Sequence, residues 1–162
     1  MPNLLTQVIA TVATPGWGDG KNGNDSYVDL SVIIRTTDGA EHRTGAHLGD
    51  NTGIGQNNAI YPTFPLSSSL GNLSTIKYED VNEVQLDVLY YKPNADITTS
   101  DAWDVRFEVC LSFQNGSVLA TGYNEPAKHL EFHNYPHKQG LTVFNVKRAG
   151  MFNAPTLVSP FG

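Results

Sequence analysis

The chain has 162 residues, 40% hydrophobic and 16% charged, with a net charge of −6 and a single cysteine, Cys110. That length is about one domain, large enough to fold without a metal or a disulfide. One cysteine excludes an intramolecular disulfide framework, an acidic chain without a basic patch argues against nucleic acid as a partner, and no run of about 18 apolar residues is present to cross a membrane as a helix. Met1-Pro2-Asn3-Leu4 has no basic region and no apolar stretch behind it, so the expected location is the cytoplasm, or outside by a route without a visible signal peptide. The triplets at Asn24, Asn72 and Asn115 that match a glycosylation acceptor are then read as chance.

The predicted elements follow in chain order. Gln7 to Val12, with Val8, Ala10 and Val12, is an opening strand. Tyr27 to Ile34 alternates, with Val28, Leu30, Val32 and Ile34 on one face and Asp29 and Ser31 on the other. Asp38-Gly39 turns it into a hairpin with Glu41 to Leu48. Leu66 to Asp80 reads as a crossover loop with one short turn, because its serines and glycines weaken a helix. Val84, Leu86, Val88 and Tyr90 form another apolar stripe. The clearest strand is Trp103 to Phe113, where apolar Trp103, Val105, Phe107, Val109, Leu111 and Phe113 alternate with Asp104, Arg106, Glu108, Cys110 and Ser112. Asn115-Gly116 is a tight turn, with Val118 to Gly122 returning antiparallel. Leu130 to Phe132 and Leu141 to Val146 close the fold. These amount to about eight strands: an all-β antiparallel sandwich or jelly roll over 1–150, followed by an extended tail over 151–162 that is free to pack on a neighbour.

Four groupings carry candidate chemistry. The loop from Trp17 to Ser26 places Asp19, Asn22, Asn24 and Asp25 among glycines, and carboxylate, amide and backbone oxygens are what calcium takes. A second acidic stretch holds Asp96, Asp101 and Asp104 ahead of the Trp103 strand, as the first precedes the Tyr27 strand; Asp50-Asn51 is a third. If these loops meet at one end of a sandwich, Asp19, Asp25, Asp96 and Asp101 share one cation. The alternative is a set of solvated turns. Trp17, flanked by glycines, is hard to bury and suits a stacking or anchoring role; a ring folded back over the end of the sandwich is the other reading. His129, Glu131 and His133 share a strand face, which suits a transition metal or simply a polar stripe. Cys110 faces the polar side without an electropositive setting and is expected to be inert.

The segment from Asp19 to Val28, with Asp25-Ser26 entering a strand, resembles the turn after the first strand of PLAT/LH2-type domains, a C2-like β-sandwich family. Ser100-Asp101-Ala102-Trp103 is similar to that family's Trp-containing strand, and Tyr61, Phe64 and Leu66 stand where it carries a central aromatic segment. The resemblance spans roughly residues 5 to 120 and implies a module that binds lipid surfaces or proteins, with Asp19 and Asp25 as calcium ligands and Trp17 as a surface anchor.

The expected function is therefore non-catalytic: calcium-assisted recognition of a glycan, a lipid headgroup or a protein. Trp17, Asn22, Asn24, Tyr61 and Tyr123 are the candidate ligand contacts. A lectin would use the aromatic residues as a sugar platform. The alternative class is a small β-sandwich enzyme, a hydrolase, isomerase or cyclase, with an acid–base pocket between the sheets. Association with further copies is also open.

Overall fold

Alternation with period 2 gives each long strand one apolar face, and two such faces bury each other when the sheets stack. The computed structural model describes residues 1–21, 26–49, 52–92, 101–132, 138–157 and 159–161. Within them lie β1 (Leu5–Thr14), β2 (Tyr27–Thr36), β3 (Glu41–Leu48), β4 (Asn58–Ile60), β5 (Thr63–Phe64), β6 (Ser67–Ser68), β7 (Gly71–Asn72), β8 (Val81–Tyr91), β9 (Asp101–Phe113), β10 (Val118–Ala120), β11 (Lys128–Phe132) and β12 (Lys138–Lys147).

The first sheet runs β10-β9-β1-β4, with β11 also on β9 and β5 also on β1; the second runs β12-β8-β2-β3. All pairs are antiparallel. Between the sheets lie the stripes expected from alternation, including Val8, Val12, Leu30, Val32, Leu86, Tyr90, Trp103, Phe107 and Leu111, all essentially inaccessible. Trp103 is fixed there by Tyr90 and Phe107, at ring distances of 5.7 and 6.0 Å. Its indole N–H donates to Thr14 Oγ1 at 2.9 Å, and Thr14 in turn donates to the Ile54 carbonyl. A buried Trp needs such a partner.

All eight expected strands are present, and four short ones add to them. The segment β4 to β7 escapes a periodicity reading because two- and three-residue pieces around Pro62 and Pro65 are too short to alternate. The crossover does contain its single short turn, at Tyr78–Asp80. Leu73 and Ile76 from the same segment plug the core.

The tail differs from the expectation, because it packs on its own sheet. Phe152 bridges Ala120 through reciprocal backbone hydrogen bonds, and the Gly16 N–H donates to the Phe161 carbonyl. Arg106 Nη1 donates to the Pro160 carbonyl at 3.1 Å. Glu108, 1% exposed, accepts from the Thr156 amide and hydroxyl. Cys110, on the polar side of β9, is thereby buried, and burial followed by the Glu108 charge pushes its thiol up to about 12.

Candidate functional site

The ends of β1, β3, β8 and β11 and the starts of β2, β9 and β12 stand at one end of the sandwich: Ala13 is opposite Arg106, Tyr27 opposite Tyr91, Val28 opposite Leu48, Lys138 opposite Tyr91 and Phe132 opposite Asp101. The first loop is clamped to this end. Gly18 N–H closes a turn onto the Pro15 carbonyl, Gln56 Nε2 donates to the Gly18 carbonyl, and Lys21 and Ile54 exchange backbone hydrogen bonds. Gly18 is there because nothing larger fits: a Cβ on it would stand 2.6 Å from Asp104 Cβ. We expect Gly18→Ala to push Asp104 out of place and to cost about 1–3 kcal/mol, read as a lowered midpoint in a thermal melt; an unchanged midpoint would mean that the contact yields.

Asp104 joins the loop to the sheet. Its backbone N–H donates to the Asp19 carbonyl at 2.9 Å, and its Oδ2 accepts from the Asp19 N–H at 2.7 Å. Alternation turns Trp103 and Val105 inward and Asp104 outward, yet only 15% of the Asp104 side chain is exposed. The β9–β11 register sets His129 directly opposite Asp104, and directly opposed side chains meet. His129 Nδ1 lies 2.7 Å from Asp104 Oδ1, and its Nε2 lies 3.2 Å from Glu131 Oε2. One ligand atom from each of Asp19, Asp104 and His129 falls within 4.8 Å of the other two, so three segments far apart in sequence present a possible metal-ligand set.

Both carboxylates favour the protonated imidazole, so the Asp104 hydrogen bond, helped by Glu131, raises the His129 pKa against a smaller desolvation effect. A pKa raised on folding stabilises fully below the unfolded value of about 6.5 and fades as pH climbs through the folded value. In chelator, the wild-type midpoint should therefore fall from about pH 6.5 upward more steeply than that of His129→Gln. Parallel pH profiles for the two proteins would refute this pairing.

Trp17 projects from the same loop with 61% of its surface exposed. Of the other expected residues, Asn22, Asn24, Asp25 and Asp96 lie outside the described residues, as do Asp50, Asn51 and His133. Asp101 opens β9 opposite Phe132, and its side chain also falls outside. Tyr61 and Tyr123 are not at this end. Tyr61 follows β4, and Tyr123 follows β10 near Glu108, where burial raises its pKa, with Glu108, Tyr61 and Cys110 adding. Asp104 and His129 were visible as parts of two separate groupings; only the cross-strand register joins them.

Lys21 alters the reading of the loop. It is 3% exposed, and its Nζ donates to the carbonyls of Ser26 and Thr52 at 2.7 and 2.6 Å. Those are oxygens a hard cation would seek, and the chain's own ammonium takes them. No protein-family model matches the chain, and no curated protein matches it in sequence.

Proposed function

We propose that this chain is a non-catalytic binding module that loads a divalent cation on Asp19, Asp104 and His129 and recognises its ligand through that ion and the exposed Trp17. The observation that carries the reading is the meeting of these three groups, one of them on the loop that also carries an uncovered indole. The imidazole moves the expected ion from calcium, which takes oxygen ligands, toward zinc, which takes nitrogen and carboxylate together. The PLAT/LH2 resemblance supports the same class, a sandwich that binds through loops at one end. Three protein ligands leave coordination positions for oxygens of a glycan, a lipid headgroup or a protein carboxylate. The interior between the sheets is filled by Trp103, Tyr90 and Phe107, and the described depressions lie on the surface.

The test is a thermal melt of chelator-treated protein with zinc or calcium added back. At a hundredfold excess over Kd a specific ion adds about 2.7 kcal/mol, a rise of several degrees. Neither ion raising the midpoint would end this reading. If one does, glycan arrays, vesicles and peptide panels with that ion present, each repeated with Trp17→Ala, separate the ligand classes.

A further inference from the structure

The two sheets treat their outer faces differently. The tail lies across the first, through Phe152, Thr156 and Pro160. The outer face of the second, β12-β8-β2-β3, holds a depression of about 530 Å³ that includes Asp29, Ser31, Asp87, Leu89, Gly140 and Thr142. A smaller one of about 280 Å³, which shares Asp29 and Ser31, continues to Gly45, His47 and Leu70. The register sets Gly45, Ser31, Asp87 and Thr142 in one row across four strands, with His47, Asp29, Leu89 and Gly140 in the next. Glycines and a serine keep the floor low. Leu70 leans in from one side and Leu89 stands within the second row: a Cβ on Gly45 would meet Leu70 Cδ1 at 3.4 Å, and one on Gly140 would meet Leu89 Cδ1 at 3.3 Å.

The polar groups beside those leucines are held in place. Asp87 accepts from Thr142 Oγ1 at 2.7 Å and Gln85 Nε2 at 2.8 Å. Asp29 is hydrogen-bonded to His47 Nδ1. Tyr27 packs edge-on against both His47 and Tyr91 and closes one end of the row. Ser31 has no side-chain partner among the described residues. His47 Nε2 lies on the side of Gly49, 3.9 Å from where a Cβ would stand, so the Asp29–His47 pair does not prepare Ser31 as a nucleophile.

We propose that this face binds a neutral oligosaccharide. A sugar ring offers apolar C–H faces and a rim of hydroxyl donors. Here apolar Leu70 and Leu89 border fixed carboxylate acceptors, which retain lone pairs after their internal hydrogen bonds. Asp29 already has His47 beside it, which disfavours a strongly cationic ligand. An open depression of this size is in the range of small-molecule sites, and fixed acceptors need no reordering on binding. The proposal does not rest on the cation site, which lies at the end of the sandwich.

The experiment is binding of the wild-type chain, in chelator, to an array of neutral hexasaccharides of gluco, manno, galacto and xylo configuration. Binding to at least one is expected. Ser31→Tyr, which fills the floor, should raise its Kd at least tenfold at an unchanged melting midpoint. Asp87→Asn, which keeps the shape, should weaken it severalfold, and it decides alone if Ser31→Tyr melts early. No hexasaccharide bound, or binding indifferent to Asp87→Asn, would overturn the proposal. So would binding that requires a divalent ion and survives Ser31→Tyr, and that result would leave the cation site standing.

Discussion

Asp104→Ala should abolish the cation-induced rise in midpoint and should also lower the midpoint of the ion-free protein. The two effects have separate causes. The first follows because Asp104 is the middle member of the group, hydrogen-bonded to the Asp19 amide on one side and to His129 on the other. The second follows because truncation leaves the Asp19 N–H without its acceptor and the loop without its tie to β9. Hydrogen bonds to charged groups are worth about 1.5–3 kcal/mol, which for a chain of this length corresponds to about 4–10 °C. Asp104→Asn separates the effects: the amide oxygen still accepts from Asp19, so most of the ion-free stability returns, while the cation response stays weak. A melt of Asp104→Ala that still responds to zinc or calcium as the wild type does would place the ion elsewhere.

Glu108→Ala should detach the C-terminal segment from the first sheet. A carboxylate in the middle of a strand, covered from solvent, is tolerable only while donors satisfy it. Here the Thr156 amide and hydroxyl do so, with the Cys110 thiol at 3.7 Å. With the carboxylate gone, Thr156 loses both partners and the tail keeps its attachments at Phe152, Pro160 and Phe161. Limited proteolysis should then cut within 153–159 several times faster, and the midpoint should fall by the equivalent of about 1–3 kcal/mol. Glu108→Gln retains an acceptor and should lie between the two. Equal cleavage of mutant and wild type would show that the strap does not depend on this contact.

The long strands were legible because their alternation is unbroken; β9 carries six inward apolar residues in register, and a helix would scatter them around its circumference. Trp17 was half legible: its flanking glycines left an exposed ring and one folded back over the end of the sandwich both open, and the ring is exposed. The group of Asp19, Asp104 and His129 was legible only in fragments. Asp19 and Asp104 are 85 residues apart, and Asp104 and His129 meet through a strand register that no local pattern encodes. The tail was opaque for a different reason. Its prolines and small residues give no period, and apart from the Thr156 hydroxyl its attachment uses backbone groups that every sequence possesses. Nor does anything distinguish Lys21 from a solvated loop lysine until Ser26 and Thr52 are seen to surround it.

That lysine separates this loop from one organised by a metal. A bound ion stabilises a loop by mass action, so dilution, a chelator or a competing ligand can strip it away. The Lys21 ammonium is tethered by its own side chain. Its presence there is fixed by that covalent tether and does not depend on what the surrounding solution supplies. The loop that carries Trp17 and Asp19 thus has its root held by a group of its own, on the carbonyls of Ser26 and Thr52, and an ion taken up at Asp104 and His129 would be added to a loop already anchored.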